Sequence, residues 1–318
     1  MASQFQGKHQ RWSERELILN ISEIFADANS EVIVGIGDDA AVVARPQSQV
    51  VVTTDMAVQD VHFKLEWSSA QEIGKKITAA NLADIYAMGG RPKYLTVAMA
   101  ATGNEDLEWM LDVARGIASE AHIVGAQVIG GDLSKAEKIV ISITGIGECE
   151  KPILRSGAKV GDSIYITNLP GWSAAGLIAL QKNLRSENLD FAISQYKAPS
   201  VDYDIAEQIA RHASSLCDVS DSLLIQSDQL AEASGVLFEI DAELIATHPE
   251  FAVLSQVAAE LDTSVFDLIL SGGEDHIFLA TGTTLGFHGI GHCIGKVLSG
   301  SGTRLLHVAT PQPGWQHF

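Results

Sequence analysis

The sequence predicts an α/β protein of two domains, and three observations support this fold class. Short β-branched runs, which are typical of strands, alternate with stretches whose apolar residues recur every three or four positions, as in helices. A chain of 318 residues, 46% of them hydrophobic, is long enough for a large core and favours two domains over one. The chain turns polar at Glu148–Pro152, so we expect domains at 1–149 and 150–318.

The stretch from Val34 to Phe63 carries the first candidate site. The apolar runs Val32–Ile36 and Val50–Val52 predict strands, and oxygen-bearing side chains follow each of them. These side chains are Asp38, Asp39, Thr53, Thr54 and Asp55, and His62 comes seven residues after Asp55. Carboxylates and hydroxyls are hard ligands that suit magnesium better than zinc or copper. The pair Asp38–Asp39 alone could equally cap a turn, but the pattern recurs along the chain.

The capping boxes Ser13–Glu16 and Ser69–Glu72 predict the first two helices. The first helix is expected to be structural. Asp84 falls within the apolar stripe of the second helix. Because an isolated buried carboxylate is costly, Asp84 must either form a buried salt bridge or bind a cation. We favour a metal ligand.

The remainder of the first domain contains a glycine-rich motif. Leu107–Ala121 predicts an amphipathic helix, and Gln127–Ile129 and Lys138–Gly147 predict strands. Gly130–Asp132 follows the first of these strands. Glycines let a phosphate approach the backbone closely, and the aspartate can hold its metal. Alone, this motif is a weak signal.

The second domain repeats the acidic theme beside a few positive charges. In the segment Arg155–Asp162, either Arg155 or Lys159 could hold a phosphate, and for Lys159 we prefer a solvated turn. Asp218–Asp221 precedes a helix, where a simple helix cap is an equal alternative. The other predicted elements are the strands Ser163–Thr167, Val236–Ile240, Phe266–Leu270, His276–Ala280, Gly295–Leu298 and Leu305–Val308 and the helices Ser173–Leu184, Val201–Ala213, Leu223–Ala233 and Pro249–Leu261.

Composition excludes several function classes. The net charge is −19, from 40 acidic and 21 basic residues, and this field repels nucleic acid. The cysteines Cys149, Cys217 and Cys293 lack metal-site spacing and are expected to be reduced thiols in a cytosol. We see no apolar leader and no apolar run near the ~20 residues that cross a bilayer, so no membrane partner is expected. The sequence lacks a G-x-x-x-x-G-K-[ST] loop, which excludes a P-loop kinase.

Taken in chain order, these motifs resemble the thiamine-monophosphate kinase family, in the superfamily of aminoimidazole ribonucleotide synthetase. The resemblance covers nearly the whole chain. Its motifs are GIGDDAAVV, TTDMAVQDVHF, NLADIYAMGGRP, VIGGD, RSGAKVGD, SAAGL, DVSD, SGGED and the closing GWQHF. Any one of these motifs is weak, whereas the ordered set is specific.

The resemblance implies a fold and a ligand set. The fold would be the two-domain aminoimidazole ribonucleotide synthetase-like α/β (α+β) fold, whose N-terminal mixed sheet pairs with its twin in a cytoplasmic homodimer. The magnesium ligands would be Asp39, Thr53, Thr54, Asp55, Asp84, Asp132, Asp218 and Asp221. ATP would contact Gly131, Asp132, Arg155 and Ser220, and thiamine monophosphate would contact His62, Glu274 and Trp315. By itself, the exposed aromatic Trp315 could stack on a flat ligand or fill the core.

The implied reaction moves the γ-phosphoryl group of ATP onto the phosphate of thiamine monophosphate. A phosphate monoester has a second pKa near ~6, so the acceptor is mostly dianionic at neutral pH and needs no general base. Two unit charges ~4 Å apart repel by roughly 4 kcal/mol at an effective dielectric of about 20. Several magnesium ions held by carboxylates would cancel this repulsion between the two polyanions.

Four departures from the family pattern bear on activity. The family's SDG reads Ser220–Asp221–Ser222, its aspartate later on that helix is Gln226, its tyrosine before the GGD strand is Val124, and its TG is Thr167–Asn168. We expect the two glycine replacements to strain or reshape their loops, and Gln226 to keep an oxygen but lose a charge. Two alternatives stay open. One is a sister enzyme with another small substrate, and the other is a nucleotide-binding regulator that has lost catalysis.

Overall fold

The computed structural model describes residues 14–26, 31–34, 36, 42–43, 48–284, 286–287 and 289–311. The chain divides into two compact units. The first unit consists of Met1–Arg45, Thr54–Thr78 and Tyr94–Thr144, and the second consists of Pro46–Thr53, Ala79–Lys93 and Gly145–Phe318. Strands and helices alternate through both, so the predicted α/β class is confirmed. The domain boundary between residues 149 and 150 stays a prediction.

The first half of the chain contains six strands and three helices in its described part. They are α1 (Glu14–Ile24), β1 (Val32–Val34), β2 (Val42–Val43), β3 (Gln49–Val58), α2 (Ala70–Ala87), β4 (Arg91–Ala101), α3 (Leu107–Ile123), β5 (Gln127–Lys135) and β6 (Val140–Cys149). β1 pairs with β2 in an antiparallel ladder, and the other four strands form a sheet of order β3-β6-β4-β5. β4 and β5 run parallel.

Local chemistry explains where α2 begins and why β4 escaped prediction. The Ser69 N–H donates to Glu72 Oε2 at 2.7 Å, and the Glu72 N–H donates to Ser69 Oγ at 3.3 Å, so the predicted capping box forms. β4 has the sequence RPKYLTVAMAA, which mixes proline and alanine with few β-branched residues. Its strand signal is therefore weak, although Pro92 is tolerated near the start of a strand.

The second half of the chain builds a larger sheet with its helices. Its elements are a 3-10 helix (Arg155–Gly157), β7 (Ser163–Ile166), α4 (Trp172–Gln181), α5 (Glu187–Lys197), α6 (Tyr203–Ala210), β8 (Ser215–Val219), α7 (Leu223–Ser234), β9 (Leu237–Asp241), α8 (Ala242–Ile245), α9 (Phe251–Glu260), α10 (Val265–Ser271), β10 (Ile277–Gly282), β11 (His292–Leu298) and β12 (Gly302–Leu306). The strand order is β12-β9-β11-β7-β10-β8, with β12 parallel to β9 and the other neighbours antiparallel.

The core of the second unit lies around β10. All six residues of β10 are buried, as are all five of β8 beside it. A strand that is buried on both faces reads as a continuous apolar run, which explains why the sequence IFLATG shows no alternation. Phe278 is 1% exposed, and burying such a side chain contributes about 1.5–3 kcal/mol. In the described part of the chain, none of the helices combines the length and apolar character that crossing a bilayer requires.

The predicted strand Phe266–Leu270 is wrong, because these residues belong to helix α10. α10 packs against α4, α7 and α9, so Leu268, Ile269 and Leu270 are all buried. A helix that is covered on several sides carries apolar residues all round, and a run this short cannot be distinguished from a buried strand by periodicity.

Candidate active site

β3 and α2 bring two predicted metal ligands together in the second unit. The Thr53 hydroxyl on β3 donates a hydrogen bond to Asp84 Oδ2 at 2.5 Å. Both side chains are half-buried. Asp84 lies in the last turns of α2, and just beyond it the carbonyl of Met88 accepts a hydrogen bond from the Ile153 N–H at 3.0 Å.

A cavity of about 220 Å³ in the second unit gathers side chains from four distant motifs. Its polar lining comes from Thr53, Asp84, Arg155 and Asp218. The other lining residues are Val51, Val52, Ala87, Met88, Leu216 and Cys217. Pockets that bury a drug-sized ligand usually measure about 300–1,000 Å³. This cavity therefore suits ions and phosphate groups rather than a complete nucleotide.

Arg155 brings positive charge to this cavity from the first residue of the 3-10 helix. Its Nη1 donates to Gln229 Oε1 on α7 at 2.6 Å. The 3-10 helix packs closely against the backbone of Ser214. A Cβ added to Gly157 would come within 1.6 Å of the Ser214 carbonyl oxygen, so only glycine fits there. Lys159 is exposed in a turn where its N–H donates to Asp162 Oδ2, which confirms the turn that we predicted for it.

Asp218 is a buried carboxylate with an imidazole partner. It lies on β8, is 3% exposed, and its Oδ2 lies 3.1 Å from His276 Nδ1. Its neighbour Cys217 is also buried, and burial raises the pKa of the Cys217 thiol, so this sulfur stays protonated. Oxygen atoms are the ligands that magnesium prefers, and Thr53, Asp84 and Asp218 supply them at this cavity.

The expectation that Ser222 would strain its loop is wrong. Ser222 has φ −174° and ψ 159°, an extended conformation open to any residue. Its hydroxyl oxygen accepts a hydrogen bond from the Ile225 N–H at 3.2 Å, so Ser222 serves as the N-cap of α7. Asn168 is also absent from the described residues with positive φ. Neither replacement of glycine therefore requires strain.

The segment Gly272–His276 contacts both the acidic loop after β8 and helix α4. The Glu274 N–H donates to the Ser220 carbonyl at 2.6 Å, and the His276 N–H donates to the Val219 carbonyl at 3.1 Å. Glu274 and His276 both adopt left-handed φ values, +63° and +51°. Such conformations persist only where surrounding contacts impose them.

Asp275 fixes this segment to the start of α4. Its carboxylate accepts hydrogen bonds from the Gly171 N–H at 2.7 Å and the Ser173 N–H at 2.8 Å. Burial raises the pKa of Asp275 to about 6, although these two backbone hydrogen bonds lower it. Asp275 is the last residue of the SGGED motif and His276 follows it, but no spacing in the sequence indicates their hydrogen-bond roles.

The other predicted residues lie in the first unit or outside the described part. The Thr54 hydroxyl donates to the Ile143 carbonyl at 3.0 Å, Asp55 is half-buried on β3, and Asp132 is exposed on β5. His62 accepts the Val58 N–H on Nδ1 at 3.0 Å. Asp38, Asp39, Ser13 and Trp315 lie outside the described residues.

The glycine pair on β5 has unequal steric roles. A Cβ on Gly131 would come within 2.1 Å of the Val97 carbonyl oxygen on β4, so strand pairing alone requires glycine there. A Cβ on Gly130 would meet only Thr96 Cγ2 at 3.8 Å, an ordinary contact. Approach of a phosphate is therefore not needed to explain Gly131.

Comparison with known proteins identifies the family. Residues 37–149 match the model for the N-terminal domain of AIR synthase related proteins. The chain is 37% identical to thiamine-monophosphate kinase of Mycobacterium tuberculosis over 295 residues, which cover 90% of this chain and 86% of that protein. The chain belongs to the thiamine-monophosphate kinase family. The resemblance drawn from the ordered motifs is thereby confirmed.

Solved structures of the thiamine-monophosphate kinase family share the fold. The enzyme from Stenotrophomonas maltophilia K279a superimposes with a TM-score of 0.82 at 26% identity, covering 91% of this chain and 95% of that one. A structure of AaThiL complexed with AMPPCP and TMP superimposes with a TM-score of 0.80 at 27% identity, covering 99% and 100%. These similarities confirm the predicted aminoimidazole ribonucleotide synthetase-like fold.

Proposed function

We propose that this chain transfers the γ-phosphoryl group of ATP to thiamine monophosphate, which forms thiamine diphosphate and ADP. Family membership supports the reaction, since the M. tuberculosis relative is named for it. The AaThiL neighbour is complexed with AMPPCP, an analogue of ATP, and with TMP. The observation that carries the proposal is the cavity in which Thr53, Asp84, Arg155 and Asp218 meet, because phosphoryl transfer needs this combination of carboxylates and a cation.

The donor set of the cavity fits magnesium. Thr53, Asp84 and Asp218 offer hydroxyl and carboxylate oxygens, which are the ligands that magnesium prefers. These three residues would hold the ion there. When bound, magnesium would neutralise the charge of the transferring phosphoryl group and its neighbours.

The side chains of this chain have separate tasks in the proposed reaction. Arg155 binds a phosphate group of ATP, since it lines the cavity and a planar guanidinium pairs well with phosphate oxygens. His276 orients Asp218 through its Nδ1 contact. The acceptor phosphate is already mostly dianionic near pH 7, so no residue needs to remove a proton.

The remaining family-derived assignments belong to the same proposal. Further magnesium ligands are Asp39, Thr54, Asp55, Asp132 and Asp221. ATP also contacts Gly131, Asp132 and Ser220, and thiamine monophosphate contacts His62, Glu274 and Trp315. The hydrogen bond from the Glu274 N–H to the Ser220 carbonyl shows that the loop of Glu274 lies against the loop of Ser220, which supports assigning both loops to one site.

The first experiment incubates the purified protein with ATP, magnesium and thiamine monophosphate and measures thiamine diphosphate. Unphosphorylated thiamine is the control acceptor, because a hydroxyl acceptor lacks the dianion on which the mechanism depends. Product from the monophosphate alone is the expected result. Binding of ATP without product from either acceptor would refute the proposal and favour the regulator that has lost catalysis.

We also propose that the protein acts as a cytoplasmic homodimer. β3 lies at one end of its sheet order, and its residues Val50, Val52 and Met56 are 50%, 64% and 54% exposed. Exposed apolar side chains along an edge strand favour contact with a second copy. The free thiols Cys149 and Cys217 suit a reducing compartment. Sedimentation of the wild type and of Val52→Lys tests the dimer, and a monomeric wild type would refute it.

A further inference from the structure

Gln226, in the first turn of α7, uses both atoms of its side-chain amide in hydrogen bonds. It is 1% exposed, and its backbone N–H donates to the Ser222 carbonyl at 3.1 Å. Its side-chain Oε1 accepts the Ser222 N–H at 2.9 Å. Its Nε2 donates to Asp221 Oδ2 at 3.2 Å and to Ser220 Oγ at 3.4 Å. The amide therefore contacts three consecutive residues of the acidic loop.

The orientation of this amide is fixed by chemistry. A backbone N–H can only donate, so the atom facing Ser222 must be the oxygen. An ionised carboxylate can only accept, so the atom facing Asp221 must be the nitrogen. Rotating the amide by 180° would break both contacts at once. Gln226 thus presents an N–H group, and not a lone pair, to Asp221.

The rest of the loop is fixed by other residues. The Ser220 carbonyl accepts the Glu274 N–H, and Asp218 Oδ2 lies beside His276 Nδ1. Ser222 caps α7. Asp221 Oδ2 is thus directed by Gln226 within a loop whose backbone is otherwise constrained.

We propose that Gln226 is a positioning residue that orients Asp221 for the metal–ATP complex and prevents a cation from binding between side chains 221 and 226. The inference rests on the proposed function only in naming that complex. In this chain, the N–H group of Gln226 holds Asp221 Oδ2 by a hydrogen bond. A carboxylate at position 226 could hold Asp221 only through a bound cation. The contact from Nε2 to Oδ2 leaves no room for an ion between them.

The variant Gln226→Glu tests this directly. It places a carboxylate oxygen where Nε2 now lies, about 3.2 Å from Asp221 Oδ2. Two carboxylates at that distance repel each other unless a cation lies between them. In EDTA we expect Gln226→Glu to melt on the order of 4 °C below the wild type. Millimolar magnesium should restore most of this loss, whereas the wild type should respond much less.

Two comparisons isolate the pair. Gln208→Glu makes the same change at an exposed position on α6 and should melt like the wild type with and without magnesium. Asp221→Asn removes the partner charge, so the double variant Asp221→Asn/Gln226→Glu should melt in EDTA like Asp221→Asn alone. If Gln226→Glu does not fold in EDTA, a double variant that melts like Asp221→Asn still shows that repulsion between the carboxylates at 221 and 226 is the cause.

A second measurement counts the metal. Binding of Mn2+ in the presence of AMPPCP, followed by electron paramagnetic resonance, should give one more bound ion per chain in Gln226→Glu than in the wild type. Equal magnesium responses of Gln226→Glu and Gln208→Glu, persistence of the loss in the double variant, or an unchanged count would each overturn the inference. None of these measurements uses thiamine monophosphate, so absence of kinase activity would leave them decisive.

Discussion

The Thr53 hydroxyl lies 2.5 Å from Asp84 Oδ2, and this hydrogen bond joins the middle of β3 to the end of α2. A hydrogen bond to a carboxylate is about twice as strong as one between neutral groups. It directs Oδ2 toward β3 and leaves the orientation of the whole carboxylate defined at the wall of the cavity. The geometry of the proposed metal site therefore depends on a strand residue and a helix residue together.

Asp84→Asn should lower kcat by at least about 100-fold without unfolding the protein, because the amide keeps the shape but loses the charge for magnesium. Thr53→Val should have a smaller effect, of about 10-fold, since it removes only the hydroxyl. Steady-state kinetics and thermal melting measure the two effects. A wild-type rate in Asp84→Asn would remove Asp84 from the ligand set.

Arg155→Ala should raise KM for ATP by about 10–100-fold, because a hydrogen bond to a charged group contributes roughly 1.5–3 kcal/mol. Stability should change little, since Arg155 is exposed. Gln229→Ala is the matched control, because it removes the protein partner of Arg155 but not the charge. An equal rise of KM in both variants would point to the hydrogen bond, and no rise in Arg155→Ala would refute a phosphate contact.

Gly131→Ala should destabilise the fold by about 1–3 kcal/mol, since its Cβ would collide with the Val97 carbonyl oxygen. Gly130→Ala should be tolerated, because its Cβ meets only a methyl group at 3.8 Å. Urea denaturation of the two variants measures the difference. Similar stabilities would mean that β4 and β5 can separate at this point without cost.

The stability that Asp275 contributes should fall as the pH rises from about 4 to about 7. Burial raises the pKa of Asp275 from 3.8 to about 6, so the folded protein binds this proton more tightly than the unfolded chain does. The contribution is complete below the unfolded pKa and is lost as the pH passes through about 6. The difference between a pKa of 3.8 in the unfolded chain and about 6 in the folded protein corresponds to roughly 3 kcal/mol in the free energy of unfolding.

Urea denaturation at several pH values compares the wild type with Asp275→Ala. The advantage of the wild type should shrink by up to about 3 kcal/mol over this pH range. Gln208→Ala, which removes an exposed side chain that does not titrate, should show a constant difference. A constant difference for Asp275→Ala as well would contradict the raised pKa.

Sequence patterns predicted elements well where local chemistry decides them. The capping box at Ser69 and Glu72 forms as expected, because both partners are close in the chain. The predicted strand Phe266–Leu270 failed because its conformation depends on the three helices that surround it. Burial by distant elements has no signature in a five-residue apolar run.

In the candidate site as well, the residues of the motifs could be predicted, whereas roles that depend on contacts in the folded chain could not. Thr53, Asp84, Arg155 and Asp218 were each named from motifs, and the fold brings them to one cavity. The roles of Gln226 and His276 could not be predicted, because they act through hydrogen bonds to Asp221 and Asp218 that only the folded chain creates. Strain at Ser222 was expected from its replacement of glycine, yet its actual φ is extended.

The 3-10 helix can lie against the Ser214 carbonyl only because residue 157 is glycine. Any larger residue would push the 3-10 helix away from the Ser214 carbonyl, and Arg155, two positions earlier, would move with it. If Arg155 binds ATP as proposed, a substitution at Gly157 would therefore weaken nucleotide binding although this residue need not touch the nucleotide. Among related genes, a side chain at this position would mark a lineage in which Arg155 has lost its proposed contact with ATP, or in which the backbone at Ser214 has changed to make room.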